Sequence, residues 1–284
     1  MAMKIGLIGA GKVGFSLGKF FSRGGVPVTG YWSRRRESAQ EAAAFTGTKA
    51  YQQPAQLIQD SDALFLTVPD GAISSVFSSL KEFNISGKQI CHCSGAMSAG
   101  EAFPGIEQTG AWGYSIHPLF PISSKLESYR ELPDAFFCLE GNGPHLNDWE
   151  RLLRGLGARV QRISGGDKAR YHAACAIASN LVCALVGESL ELLQSCGFSP
   201  QGALEALTPL MRSNLEHIAA CGPVQALTGP VERGDAATVQ KHLDCLNSPQ
   251  ERELYRAASQ KLVELARQKN PERDYKTLEQ ILKL

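Results

Sequence analysis

At 284 residues the chain is long enough for two domains or one large one, and its 43% hydrophobic and 20% charged content excludes a disordered or fibrous protein. Lysine and arginine number 29 against 28 aspartate and glutamate, so a net charge of +1 gives no electrostatic case for nucleic acid or for an anionic membrane. The expected partners are small molecules and other protein chains.

The first element is the best defined. In KIGLIGAGKVG, from Lys4 to Gly14, Ile5, Leu7 and Ile8 read as a short buried strand, and Gly9, Gly11 and Gly14 follow at Gly-x-Gly-x-x-Gly spacing before an apolar helix of Phe15, Leu17, Phe20 and Phe21. Gly9 permits a tight turn, Gly11 lets the backbone approach a diphosphate, and Gly14 lets the helix pack close to the strand. Gly9, Ala10, Gly11, Lys12, Val13 and Gly14 are therefore the expected dinucleotide cradle, with the helix N-terminus offering free N–H groups to the phosphates. The second strand, Val26 to Trp32, ends in Ser33, Arg34, Arg35 and Arg36, where an NAD-binding chain would place a carboxylate. Guanidinium groups bind phosphate through several charge-assisted bonds, so Ser33 and Arg34 favour NADP as cofactor.

Strands and helices then alternate, which predicts a doubly wound parallel sheet, an α/β fold of the Rossmann type. A helix is expected near 37–46, a strand near 48–51, a helix opened by Pro54, and a buried strand over 62–68 ending in Val68-Pro69-Asp70, with Asp70 capping the next helix. Further strands are expected at 89–93, 113–117, 135–139 and 158–161, with a helix near 146–156 between the last two. Ligands bind beyond the carboxyl ends of such strands. Val68, Pro69, Ser94, Gly95 and His117 all lie there and form one expected ligand wall, with Val68, Pro69 and Ser94 expected on the cofactor.

After Ser164-Gly165-Gly166 the strand signals stop. A Rossmann domain over 1–164 and an all-α domain over 165–284 are the expected division. Ser164 and Asp167 have capping-box spacing, predicting one long helix from Asp167 to Cys196, with further helices near 200–221, 236–246, 249–268 and 275–282 and a loop over 222–234. The apolar run from Ala173 to Val186 is interrupted by Ser179 and Asn180, so no membrane span is expected. Eight scattered cysteines, 91, 93, 138, 175, 183, 196, 221 and 245, with no secretory signal ahead of the first strand, read as reduced thiols of a cytoplasmic protein. Cys91-His92-Cys93 has no second ligand pair at finger-like spacing, so no metal is expected.

Lys168 and His172, four apart, share one helix face. A carbonyl taking hydride becomes an alkoxide that needs a proton and a positive charge; Lys168 supplies both, with His172 orienting the substrate or relaying the proton. Asn180 lies about 18 Å farther along an ideal helix, so it cannot share one small reacting centre with Lys168. It is either a second substrate contact or a polar group inside the helical domain. In the segment 228–235, Thr228 and Arg233 are arranged to bind a substrate oxygen and a carboxylate, or belong to a plain connector.

The segments GLIGAGKVG, FLTVPDGAI, HCSGA, HPLFP, DKARYHAACAIASN and LTGPVERGD together resemble Rossmann-like oxidoreductases with a helical C-terminal domain, of the 6-phosphogluconate dehydrogenase or pyrroline-5-carboxylate reductase type, over nearly the whole chain. Within that group the chain is similar to alternative ketopantoate reductases, which reduce 2-dehydropantoate with NADPH on the route to pantothenate. The resemblance implies that Lys168 is the general acid, that Ser94, Gly95 and His117 line the nicotinamide and substrate pocket, and that the protein is a homodimer through its helical domain. The related β-hydroxyacid dehydrogenases carry asparagine where this chain has His172. Reduction of a cyclic imine and NADP binding without turnover are the competing expectations.

Overall fold

The computed structural model describes residues 3–283. Ile5–Ile8 form β1, every residue of which is buried, as a strand covered on both faces must be. Around it the first unit is built from α1 (Lys12–Arg23), β2 (Val28–Trp32), α2 (Arg36–Thr46), β3 (Lys49–Ala50), α3 (Pro54–Asp60), β4 (Ala63–Leu66), α4 (Asp70–Leu80), β5 (Gln89–His92), α5 (Ala99–Ala102), β6 (Trp112–Leu119), β7 (Phe136–Gly141), α6 (Leu146–Gly155), β8 (Arg159–Arg162) and α7 (Lys168–Ala178). The sheet runs β3-β2-β1-β4-β5-β6-β7-β8, and its order reverses between β1 and β4, the crevice where open α/β sheets take ligands. Helices cover both faces. On one, Phe15, Phe21, Phe65 and Trp149 are fully buried; on the other, Leu57, Phe77 and Phe103 are. Each such side chain contributes about 1.5–3 kcal/mol of transfer free energy.

The expected doubly wound α/β sheet is present, with one exception to its parallel pairing. β6 and β7 are antiparallel, with Ile116 opposite Leu139, whereas β7 and β8 return to parallel. Asp70 does not cap α4. The N-cap is Pro69, and the Asp70 carboxylate instead accepts a hydrogen bond from Ser94 Oγ at 2.6 Å.

The expected long helix is two. α7 ends at Ala178, and Ser179 leaves helical geometry (φ −128°, ψ −75°) with its hydroxyl donating to Cys175 O at 2.7 Å, a back-bond that bends helices. The run Gly165–Ser195 contains an 18-residue stretch whose mean hydropathy, 1.6, is that of a bilayer-crossing segment. The break leaves pieces of 11 and 16 residues, at most about 24 Å each against about 30 Å of hydrocarbon. Ser164 makes no capping bond to the backbone. Its hydroxyl donates to Asp167 Oδ2 at 2.6 Å, and a short 3-10 turn over Gly165–Asp167 leads into α7. The first compact unit accordingly extends to Ser179, beyond the expected boundary at 164.

The second unit holds α8 (Asn180–Ser195), α9 (Pro200–Ala226), α10 (Pro230–Arg233), α11 (Ala236–Cys245), α12 (Pro249–Lys269) and α13 (Lys276–Ile281). Its core is Val231, Val239, Leu243, Val263, Tyr275 and Leu278, from α10 to α13. The loop expected over 222–234 is largely helical. α9 passes through a kink at Gly222 (φ +79°) to Ala226, and α10 follows.

Candidate active site

The glycines after β1 meet the three demands read from their spacing. Gly9 has φ +107°, and a Cβ there would lie 2.5 Å from Thr67 O. At Gly14 a Cβ would strike Gly9 O at 2.6 Å and Thr67 Oγ1 at 2.7 Å, so only hydrogen lets α1 sit this close to the sheet. Gly11 differs: a Cβ there would meet nothing, because it faces an open cavity of about 680 Å³. Gly11 is also the N-cap of α1 and supplies no side-chain cap, which leaves the N–H groups of Lys12, Val13 and Gly14 without helical acceptors. Backbone donors without acceptors beside an open cradle fit a diphosphate.

The same cavity is lined by Ala10, Ser33, Arg34 and Arg35 at the end of β2, and by Val68 and Pro69 after β4. Among the described residues no carboxylate lines it. A 2′-phosphate therefore meets two guanidinium groups and a hydroxyl, and the residues present fit NADP. Thr67, which the sequence pattern did not single out, fastens the turn by donating to Gly9 O at 2.9 Å.

Across the carboxyl ends of β5 and β6 lies a second cluster in the same unit. Lys168 opens α7 but turns inward and is 1% exposed. Its Nζ donates to Ser94 O at 2.8 Å and to Ser115 Oγ at 2.7 Å, while Ser115 Oγ donates to Ser94 O at 3.3 Å. Burial lowers the Lys168 pKa, and the nearby Cys138 and Glu140 oppose that shift. Direct proton transfer from Lys168 to a substrate requires an accessible Nζ, and this packing closes it off. What Lys168 can impose here is a fixed positive charge.

His117 and Tyr171 stand at the more open side. His117 Nδ1 and Tyr171 Oη are 2.8 Å apart, with the two rings edge-on. Burial, then the charges of Lys168 and His172, push the His117 pKa down to about 3, so the ring is neutral. Burial, then Cys138 and Cys175, push the Tyr171 phenol well above its ordinary range. His172, on the solvent side of α7, meets His117 edge-on with ring centroids 6.2 Å apart. Gly95 makes this convergence possible: a Cβ there would lie 2.4 Å from His172 Nδ1 and 3.0 Å from His117 Nε2.

Ser94 joins the two clusters. Its carbonyl receives Lys168, and its hydroxyl donates to Asp70, the residue that follows the Val68-Pro69 wall of the cavity. The structure thus brings together Ser94, Gly95, His117, Lys168 and His172 and adds Ser115 and Tyr171. Tyr171 sits three residues after Lys168, a spacing that marks it as a facing neighbour on a helix. Ser115 carries no such signal.

The other expected substrate residues, Asn180, Thr228 and Arg233, belong to the second unit. Thr228 and Arg233 are exposed, on a segment locked by Glu232. The Glu232 backbone carbonyl accepts from Tyr275 Oη at 2.7 Å and from Arg273 at 2.6 Å, and its carboxylate accepts from Asn270 at 2.7 Å. Those bonds tie the segment to α12 and the turn that follows it within its own unit.

Residues 1–118 match the model of a Rossmann-like domain, and residues 135–262 match that of a domain of unknown function, DUF2520. No curated protein matches the chain. Protein TM1727 from Thermotoga maritima is 26% identical, with a TM-score of 0.73 over 93% of this chain and 98% of that one. A reductive aminase from Aspergillus terreus, solved with NADPH and ethyl-5-oxohexanoate, is 13% identical, with a TM-score of 0.60 over 99% of this chain and 92% of its own. A pyrroline-5-carboxylate reductase from Coxiella burnetii is 16% identical, with a TM-score of 0.58 over 94% and 98%. At those identities the last two likenesses are likenesses of fold.

Proposed function

We propose that the chain is an NADPH-dependent reductase of a small 2-oxo acid, 2-dehydropantoate foremost, acting as a homodimer. One observation carries this reading: a diphosphate cradle open only at Gly11 is linked, through Asp70 and Ser94, to the buried ammonium of Lys168. When bound, NADPH supplies a hydride to the carbonyl carbon. Gly11 and the N–H groups of Lys12, Val13 and Gly14 hold the diphosphate, and Ser33 with Arg34 holds the 2′-phosphate. Lys168 holds positive charge near the oxygen on which negative charge develops, in surroundings dry enough for that charge to act strongly. A fold-related reductive aminase that binds NADPH supports the cofactor assignment.

The likeness to a reductive aminase and to pyrroline-5-carboxylate reductase favours a second reading, reduction of a C=N bond. The buried ammonium argues against it, because a protonated imine carries the same sign of charge. The test is NADPH oxidation by the purified protein with 2-dehydropantoate, other 2-oxo acids and 1-pyrroline-5-carboxylate. Turnover of 2-dehydropantoate that falls at least a hundredfold in Lys168→Ala, with NADPH affinity kept, is the expected result. Imine turnover that survives Lys168→Ala would move the assignment to C=N reduction. NADPH binding with no turnover of any of them would leave a nucleotide-binding protein.

A further inference from the structure

We propose that His117 and Tyr171 form the proton relay of this site, with His117 Nε2 giving the proton to the substrate oxygen and Tyr171 fixing the His117 tautomer and replacing that proton. The inference rests on the reductase reading and deepens it.

Three observations converge. First, the residue expected to donate directly, Lys168, is 1% exposed with Nζ bonded to Ser94 O and Ser115 Oγ, so an accessible donor must be another group. Second, the Tyr171 hydroxyl is 2.8 Å from His117 Nδ1, and Cys138 and Cys175 are its other polar neighbours. Thiol sulfur is a weak acceptor and imidazole nitrogen a good one, so the phenol proton goes to Nδ1, and the ring carries its own hydrogen on Nε2. Third, His117 Nε2 lies beside Gly95 at the carboxyl end of β5, 3.0 Å from where a Cβ would stand, with His172 Nδ1 2.4 Å from the same point. In a sheet of this topology the redox half of a dinucleotide lies on that side of the β1–β4 crevice.

The step balances. As the carbonyl carbon gains the hydride and its π pair settles on oxygen, that oxygen takes the Nε2 proton, and Nδ1 takes the Tyr171 proton as its lone pair becomes the new N–H bond. The phenolate left on Tyr171 faces the Lys168 ammonium, whose Nζ lies over the ring 5.7 Å from its centroid, and the resting state returns when Nε2 takes a proton from solvent as Nδ1 gives its own back to the phenolate. His117 thereby stays neutral before and after transfer, as its burial requires. Lys168 then acts as the counter-charge of the relay.

The test pairs a spectrum that needs no substrate with a rate. In the full-length protein labelled with ring-15N histidine, and with His117 assigned by His117→Gln, the relay requires a neutral Nε2–H tautomer near pH 7; Tyr171→Phe should convert it to a mixture. With 2-dehydropantoate and NADPH, His117→Gln should lower kcat about a hundredfold and Tyr171→Phe at least tenfold, both with NADPH affinity kept. An Nδ1–H or doubly protonated His117 in a wild type that turns over would overturn the relay alone. So would a tautomer unmoved by Tyr171→Phe, and the wild-type spectrum decides even if that variant fails to fold. A wild type that binds NADPH but reduces neither 2-dehydropantoate nor 1-pyrroline-5-carboxylate would overturn the reductase reading and the relay with it.

Discussion

Arg34 separates the two nicotinamide coenzymes by charge, because it lines the cavity beside Ser33 and Arg35 where the cofactors differ by one phosphate. Arg34→Asp removes a charge-assisted contact and adds a repelling carboxylate. NADPH affinity should fall by about 1.5–3 kcal/mol, roughly ten- to a hundredfold, while NADH affinity hardly moves. Equal losses in parallel binding titrations would refute the 2′-phosphate site. A second consequence at this scale concerns acid stability. Burial, then Lys168, pushes His92 down from 6.5 to about 3, and His117 is pushed to about the same value. Below about pH 6.5 the unfolded chain takes up protons that the folded chain refuses, so stability is full above that pH and falls through the window down to about pH 3. For the fully buried His92 the loss between pH 7 and pH 5 is about 2 kcal/mol, and for the half-buried His117 it is smaller. Urea midpoints at both pH values should show it, and His117→Gln should reduce the pH-dependent part without abolishing it. A midpoint that did not fall in acid would mean that the two imidazoles are not buried neutral.

The strand-turn-helix after β1 owes its geometry to a missing methyl. Gly14→Ala places a Cβ within 2.7 Å of both Gly9 O and Thr67 Oγ1, so α1 must move off the turn. The expected cost is about 1–3 kcal/mol in urea unfolding, with a loss of NADPH affinity, since the N–H groups of α1 no longer point at the diphosphate. Gly11→Ala, which meets nothing in the protein, should spare stability and still weaken NADPH. That split between the two variants is the check. It also shows why this element was legible in the sequence: each glycine answers a local steric demand that its neighbours announce. Other features answer distant partners and were not legible. An apolar run states that β7 is buried but not its direction, and β6 and β7 pair antiparallel. Asp70 looked like a helix cap because capping is local, yet its carboxylate is taken by Ser94, 24 positions away. Lys168 was legible as a charged group at the start of the helix after the last strand, but not its burial, in which Ser94 after β5 and Ser115 within β6 accept from it.

The second unit carries apolar surface that its own core does not use. Its buried cluster draws on α10 to α13, whereas α8 has no buried residue and α9 only Ala203 and Ala226. Leu181, Leu185, Leu204, Leu210 and Leu215 are between 42% and 66% exposed. Burying such a leucine stabilises an interface by about 1.5–3 kcal/mol at most, so five of them outweigh the ordinary tolerance for scattered surface leucines. Acyl chains are a poor occupant, because α8 carries Glu188 and Glu191, and α9 carries Glu205, Arg212 and Glu216 among the leucines. A second copy of the chain accommodates both kinds of residue: leucines pack at the centre of the interface and charges stay at its rim. The protein should therefore sediment at twice the mass of one chain at micromolar concentration. Leu210→Glu, at the most exposed of these positions, should shift it toward single chains, because a carboxylate at the centre of an apolar interface is desolvated without a partner. Sedimentation as a single chain at all concentrations, with no change in Leu210→Glu, would show that this face has no second copy to meet.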